Sequence, residues 1–337
     1  MSASPKAGQP HYPVMLPEVM AALSPQSGEL FIDGTFGNGG YSQAILDAAE
    51  THLIAIDRDP NVAPRVADYA ERYAGRFEFF EGAFSDMAAA AGERKVNGIV
   101  LDIGVSSMQL DQAVRGFSFQ KDGPLDMRMA QSGPSAADAV AHLSHGELAK
   151  IFQVYGEERR AKRCADFIVR AREVEPIVTT AQLADLMAQA LGKSGKINPA
   201  TRVFQALRIF VNDELGELYR ALLAAEEILA PGGRLVVVAF HSLEDRIVKS
   251  YLRRRAGETK GQSRYMPEVE DTGPAASFTL PGRSALTASK HELTENVRSR
   301  SAKLRRAIRT DAAPWPEGDE NLLPRAPSLA ALEKVMS

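Results

Sequence analysis

A single cysteine, Cys164, stands among the 337 residues. One thiol makes neither an internal disulfide nor a thiolate cage for zinc, which favours a reducing compartment. Excess charge is also lacking: 40 Lys plus Arg against 43 Asp plus Glu leave a formal charge of -3, so any nucleic-acid surface has to be a local patch. No apolar run approaches the roughly 20 residues that span a bilayer, residues 1–13 hold no apolar signal core, and no repeat recurs at a fixed period. The remainder, 45% hydrophobic and 25% charged, is ordinary globular composition. The length suits about two domains, and the expected setting is the cytoplasm, with no membrane partner.

From Leu30 short apolar runs alternate with helical stretches. Residues 30–33 predict a strand, followed by a Gly-rich turn, a helix over 41–49 and a second strand over 52–57. The pattern continues with a helix over 61–73, a strand over 77–80, a helix over 85–91 and a strand over 98–102. Such alternation implies parallel strands with right-handed crossovers. The next buried strand, 234–240, follows Pro231-Gly232-Gly233 and a helix over 213–229. The intervening pattern is helical, over 135–143, 144–155, 157–172, 180–191 and 199–211, with Ser144 and Glu147 spaced as a capping box. The expected fold is α/β, a doubly wound sheet carrying an inserted helical subdomain. Residues 256–290 read as a long loop and 302–308 as a late strand. The expected division is a disordered 1–10, a core of 11–112 and 213–310, an insertion of 113–212, and a Pro-rich flexible tail of 311–337.

Asp33-Gly34-Thr35-Phe36-Gly37-Asn38-Gly39-Gly40 sits where the first strand hands over to a helix, and its glycines permit a tight turn and close approach to a ligand. Asp57 ends the second strand about 20 residues beyond Gly37, the offset at which a carboxylate accepts from ribose hydroxyls in nucleotide-binding βαβ units. The dinucleotide pattern G-x-G-x-x-G begun at Gly37 fails at Ser42. A Walker loop ending in Gly192-Lys193-Ser194 fails at Met187 and follows a helix, not a strand. Asp33, the loop and Asp57 together suit S-adenosylmethionine, whose sulfonium and ammonium groups are drawn to carboxylates. Glycines needed only for packing the turn are the competing explanation.

The chain resembles the bacterial ribosomal RNA small-subunit methyltransferase H family (MraW-like), which methylates N4 of a cytosine in 16S rRNA. The resemblance is carried by His11–Glu18, by Ile32–Gly40, by Ala55-Ile56-Asp57-Arg58-Asp59 and by Leu101-Asp102-Ile103-Gly104-Val105-Ser106-Ser107. It continues through Arg115–Phe119, Asp122–Met129, Tyr155–Arg159, Pro199–Ile209 and Phe240–Arg246, so it covers nearly everything from His11 to Arg309. It implies a class I S-adenosylmethionine-dependent methyltransferase, with a Rossmann-like sheet and an inserted helical subdomain for substrate recognition. Carried over by position, cofactor contacts fall on Gly39, Gly40, Tyr41, Asp57, Phe84, Asp102 and Gln109. The implied partner is 16S rRNA in the small ribosomal subunit, with no metal; a homodimer is left open. Two positions depart from the family pattern: Tyr41 replaces an expected histidine and Val297 an expected proline. At Tyr41 a backbone N–H contact survives the change.

The cytosine N4 lone pair is delocalised into the ring, so methylation there needs in-line positioning and an acceptor for an N–H proton. Candidates are Asp102, Ser106, Ser107, Asp126 and His241; Asp102 could face cofactor or base, and the resemblance favours the cofactor. Methylation at carbon five would instead need a thiolate, yet Cys164 lies in a helical charged stretch where a packing role is more common. His142 and His145 straddle a helix boundary, which argues against a metal pair. Basic clusters at 159–172, 253–255 and 298–309 could contact phosphates, the first and last being favoured. Phe117, Phe119 and Tyr155 could stack on a base or pack in a core. The competing functions are a methyltransferase for a small molecule or protein, a non-catalytic assembly factor binding S-adenosylmethionine and RNA, and an NAD-dependent oxidoreductase, which Ser42 opposes.

Overall fold

The structure is a computed structural model that describes residues 13–192, 198–258, 273–316, 318 and 320–336. The expectation for residues 1–10, the Lys193-Ser194 pair and the side chain of Ser107 lie outside the described residues. Among the described residues, no helix is long and apolar enough to cross a membrane.

The apolar runs become β1 (Leu30–Asp33), β2 (His52–Asp57), β3 (Phe77–Glu81), β4 (Val96–Asp102) and β5 (Leu229–Ala239). They are all parallel: Leu30 pairs with His52, Ile32 with Ile99, Leu53 with Phe77 and Leu101 with Val237. Three further strands, β6 (Phe278–Thr279), β7 (Leu286–Thr287) and β8 (Lys303–Arg309), complete a sheet of order β3-β2-β1-β4-β5-β8-β6, with β7 also on β8. The late strand expected near Leu304 is β8, and it runs antiparallel to β5, Arg234 opposite Ile308 and Ala239 opposite Lys303. The order, reversing between β1 and β4, is that of the expected doubly wound, Rossmann-like sheet, with a single antiparallel return at β8. Parallel strands covered on both faces read as unbroken apolar runs. Phe31, Ile32, Ile54, Ile99, Leu101, Val236 and Val237 are accordingly buried, each contributing about 1.5–3 kcal/mol.

Helices α1 (Leu16–Leu23), α2 (Gly40–Ala48), α3 (Ala63–Arg72) and α4 (Met87–Ala91) alternate with the first strands. After β4 come α5 (Ser107–Asp111), α6 (Ala136–His142), α7 (His145–Val154), α8 (Ala161–Arg172), α9 (Thr180–Leu191) and α10 (Thr201–Val211). The chain continues with α11 (Glu214–Ile228), α12 (Ser242–Arg255), α13 (Lys290–Glu295) and α14 (Leu329–Met336). It forms two compact units: residues up to Ile103 with Glu217–Leu322, and Gly104–Gly216 with Leu323–Ser337. The second unit has its own core, in which Leu148, Ile151 and Phe152 of α7 meet Cys164 and Ile168 of α8 and Leu183 and Met187 of α9. These sit at the three- and four-residue spacing of an apolar helix stripe. Capping boxes start four of its helices, at Ser106, Ser135, Ser144 and Thr179.

Several expectations are corrected. The helix expected from Glu157 begins at Ala161, because Glu157 takes a left-handed φ of 50°. β5 starts earlier than expected: Val96 pairs with Leu229 and Gly98 with Arg234, so the Pro-Gly-Gly segment bulges out within the strand. The loop expected over 256–290 contains β6 and β7. The tail expected to be flexible carries α14, where Leu332 is buried in the core of the second unit and Leu329 packs beside it. Trp315 is held too, its Nε1 donating to Ala275 O at 2.9 Å.

Half of the cations in the basic stretch 159–172, expected to offer phosphate contacts, are used inside the second unit, while Arg159, Lys162 and Arg170 are exposed. Arg160 donates to Leu191 O (2.7 Å), Arg163 to Ala190 O, and Arg172 to Val140 O and Leu143 O (2.6 and 2.8 Å). Each guanidinium thus satisfies carbonyls at a helix C-terminus. Of the aromatic residues considered for stacking on a base, Phe117 is buried in the same core, while Phe119 and Tyr155 pack against it. Phe119 meets Phe204 edge-on at 5.0 Å. Cys164 is fully buried and its thiol is pushed up to about 12 by that burial, which removes it as a nucleophile near neutral pH. His142 ends α6, while His145 opens α7 and lies 2.9 Å from Asp166.

Candidate active site

The carboxyl ends of β2, β1 and β4 carry Asp57, Asp33 and Asp102, side by side at the point where strand order reverses. Open α/β sheets bind ligands at this crevice. The Gly-rich loop is stitched across it: Gly34 N–H donates to Val100 O (3.0 Å), Phe36 N–H to Ile56 O (3.0 Å), and Asp102 N–H to Thr35 Oγ1 (2.7 Å).

Asp33 is fully buried, accepting from Thr35 N–H at 3.1 Å and Ser42 Oγ at 2.7 Å. Ser42, the residue that breaks the dinucleotide pattern, is therefore a buried donor to Asp33. Burial, with Asp57 nearby, raises the Asp33 carboxyl to about 6. Asp57 accepts from Gly37 N–H (2.7 Å) and Asp59 N–H (2.8 Å), and burial raises it as well. At Asp102, burial and then the charges of Asp33 and Glu244 raise the carboxyl to about 8. Its Oδ1 is buried with no hydrogen-bond partner among the described residues. Three carboxylates that each resist ionisation, one with an open acceptor, make a place where a cation or a hydrogen-bond donor is favoured.

The glycines divide by cause. A Cβ at Gly39 would lie 2.6 Å from the Tyr69 ring, and one at Gly40 2.2 Å from Pro13 Cγ, so both are required by packing. At Gly37, where φ is 49°, a Cβ would meet nothing closer than Thr35 O at 3.8 Å. Only there does the loop present a Cα to open space. Gly39→Ala is expected to destabilise the fold by roughly 2–4 kcal/mol, from the left-handed conformation and overpacking together. Gly37→Ala carries only the conformational cost of roughly 1–2 kcal/mol, yet its methyl fills the open side of the loop, so cofactor affinity should fall further than stability. Calorimetric titration beside thermal melting separates the two; equal losses in both would remove the open side of Gly37 from the site.

The other expected residues are placed as follows. Tyr41 is buried and its hydroxyl donates to Val14 O, so its side chain anchors the segment before α1, and burial with the nearby charges of Asp102 and Asp33 pushes its hydroxyl well up. Phe84, half-buried, opens the turn after β3. His241, after β5, caps α12: its Nδ1 accepts from Glu244 N–H at 3.4 Å and its Nε2 lies 2.9 Å from Glu244 Oε1. Buried Glu244 also accepts from the N–H groups of Phe240 (2.8 Å) and His241 (3.1 Å). This is a capping box written with histidine. Ser106, Gln109 and Asp126 belong to the second unit. Ser106 Oγ accepts from Gln109 N–H (3.2 Å) and Gln109 Oε1 from Ser106 N–H (3.0 Å), closing the cap of α5. Asp126 holds Arg128 through two oxygens, at 3.0 and 2.6 Å. Of the acceptors proposed for an amine proton, Asp102 keeps an open oxygen, whereas Ser106, Asp126 and His241 are tied to neighbours. The sequence leaves Thr35, Ser42 and Tyr69 without a role in the site, whereas Glu244, with Asp245, is a candidate partner by which His241 orients its loop, and the structure pairs His241 with Glu244. The three-residue spacing of His241 and Glu244 was the one available signal.

The profile of the MraW methylase family matches residues 8–310. The chain belongs to the MraW methylase family. Among curated relatives of this MraW chain, the protein named Ribosomal RNA small subunit methyltransferase H in Maricaulis maris is 60% identical over 331 residues, 96% of this chain and 99% of its own length. Proteins of the same name from Paramagnetospirillum magneticum and Caulobacter vibrioides are 55% and 53% identical, each over 91% of this chain and 98% and 97% of their own lengths.

Proposed function

We propose that this MraW-family chain transfers a methyl group from S-adenosylmethionine to the exocyclic N4 amine of a cytidine in 16S rRNA of the small ribosomal subunit. The observation that carries the reading is the open, buried Oδ1 of Asp102 beside Asp33 and the Gly-rich loop. A set of buried carboxylates, one with an unpartnered oxygen, fits a ligand that brings positive charge. The near full-length likeness to proteins named Ribosomal RNA small subunit methyltransferase H supports the RNA half of the reading.

When bound, S-adenosylmethionine supplies an electrophilic methyl group on a sulfonium centre. Asp102 would hold its cationic portion, Asp57 the ribose hydroxyls, and the backbone at Gly39, Gly40 and Tyr41 its polar edge, with Phe84 and Gln109 as further contacts. The chemistry the cofactor would supply there is transfer of that methyl to the amine, and the chain's part would be to orient the amine and offer an acceptor for the N–H proton it loses. Among the candidates whose side chains are described, Asp102 offers an unpartnered carboxylate oxygen, while Ser106 and Asp126 position neighbours and His241 caps α12. Residues 113–212 would serve substrate recognition. The reading needs no metal, places the protein in the cytoplasm, and leaves a homodimer open.

The test is transfer of labelled methyl to under-methylated small subunits, followed by nucleoside mass analysis. N4-methylcytidine is the expected product. Label in a protein or small molecule would replace the substrate, and tight cofactor binding without transfer would favour a non-catalytic assembly factor. Asp57→Ala is expected to weaken S-adenosylmethionine binding by roughly 1–3 kcal/mol, losing charged hydrogen bonds to the ligand and the tie to Gly37. Unchanged affinity by calorimetry would take Asp57 out of the site.

A further inference from the structure

The edge of β8 is only partly covered. β7 pairs with Lys303 and Leu304, β6 with Ile308 and Arg309, and the connecting residues 280–285 leave Arg305, Arg306 and Ala307 outside those two short ladders. A recess opens there, floored by Leu252 and Leu304 and rimmed by Lys249, Arg253, Arg283, Arg305 and Arg306.

Two carboxylates answer these five cations. Arg305 Nε donates to Asp245 Oδ1 at 2.7 Å, and Asp245 is shared with Lys303 at 3.0 Å. Glu258 lies 2.9 Å from Arg253 and 3.5 Å from Arg283. Lys249 and Arg306 make no ion pair among the described residues, so the described residues give the recess a net positive charge. Within β8 the cations of the basic run are thereby sorted. Arg309 is buried against Glu226 O and Ser277 O, Arg305 is held by Asp245, and Arg306 remains for a ligand.

We propose that this recess is a docking site for the phosphodiester backbone of the RNA substrate, with Lys249 and Arg306 each taking a phosphate. The inference rests on the RNA reading above and adds a second contact to it. β8 lies three strands from β1 in the sheet, roughly 14 Å along the hydrogen-bonding direction, a span that a few nucleotides of extended strand cover. Guanidinium forks and an ammonium over an apolar floor suit a backbone of alternating phosphate and sugar. Such contacts position the nucleic acid and leave base recognition to the site at the strand ends.

The test is the Lys249→Glu/Arg306→Glu double variant with under-methylated small subunits and with a 16S RNA fragment. KM for subunits should rise at least about tenfold with kcat little changed, and the slope of log K against log salt should shrink by about 1.4–1.8, two phosphate contacts' worth. S-adenosylmethionine affinity and melting temperature should stay at wild-type values. If the charge reversal lowers the melting temperature, Lys249→Ala/Arg306→Ala carries the test, with KM about threefold up and the same loss of slope. Wild-type KM and salt slope in both variants would overturn the proposal while leaving the methyltransferase reading intact. Should the wild-type protein methylate no RNA, that reading fails, and filter binding of the RNA fragment still decides the recess: equal binding by variant and wild type overturns it. Competition by ribosomal proteins but not by RNA would assign the recess to an acidic protein and overturn it also.

Discussion

Asp102→Asn is expected to bind S-adenosylmethionine about 10- to 150-fold more weakly while melting at a higher temperature. The first effect follows from losing a charge-assisted contact of roughly 1.5–3 kcal/mol. The second follows from linkage. Burial, Asp33 and Glu244 raise Asp102 to about 8, against an ordinary 3.8. Between those values the folded protein holds a proton that the unfolded chain has released, so stability falls as pH rises across the window. Asparagine removes the cost. The melting advantage of the variant should widen from pH 5 to pH 8 and reach roughly 2–5 °C. Asp33, raised to about 6, leaves a smaller slope of the same sign below that pH. Cofactor affinity should show the mirror image: a cation competes with the proton on Asp102, so wild-type affinity climbs with pH up to about 8, while the variant's stays flat. Calorimetric titration and melting across pH 5–9 measure both. A variant with wild-type affinity and a parallel melting profile would detach Asp102 from the cofactor and return its high proton affinity to burial alone.

The same carboxylate marks how far the sequence could be read. β1, β2 and β4 were legible because strands covered on both faces cannot tolerate polar interruption, and the Gly-rich loop with Asp57 placed the site at their ends. The loop's glycines were legible as a group but not by cause, since Tyr69 and Pro13, which exclude a side chain at Gly39 and Gly40, come from distant parts of the chain. Charge was the least informative signal. Arg160, Arg163 and Arg172 look like a phosphate-binding run, yet they serve carbonyls of helices that come together only in the folded second unit. The run near Arg306 looked the same, and only the pairing of Arg305 with Asp245 and the burial of Arg309 separate structural from available cations. At the C-terminus, Leu329 and Leu332 lie one turn apart, too short a pattern to outweigh four nearby prolines without the core that buries Leu332.

Glu226→Ala is expected to cost about 3–5 kcal/mol of stability, the range for stranding one member of a buried ion pair. Glu226 and Arg255 are each only 1% exposed, and Arg255 Nε donates to Glu226 Oε2 at 2.8 Å. The same oxygen accepts from Tyr251 Oη at 2.7 Å, while Oε1 accepts from Ser277 Oγ at 2.5 Å and Trp315 N–H at 3.2 Å. One carboxylate on α11 therefore holds α12, the residue preceding β6 and the segment after β8. Arg255 also lies over the Trp315 ring at 4.5 Å, so it has both an anionic and an aromatic partner. Alanine at position 226 would leave a buried guanidinium without its carboxylate and free four donors together, whereas Glu226→Gln keeps acceptor geometry at one oxygen and should cost less. Replacing both members, as in Glu226→Leu/Arg255→Met, removes the stranded charge, so the double variant should be more stable than the sum of the two single losses predicts by at least about 1 kcal/mol. Urea midpoints at constant m-value read these differences. Single losses under 1 kcal/mol, or strict additivity in the double variant, would mean that the packing of α11 on α12 and not this ionic hub holds the end of the sheet together.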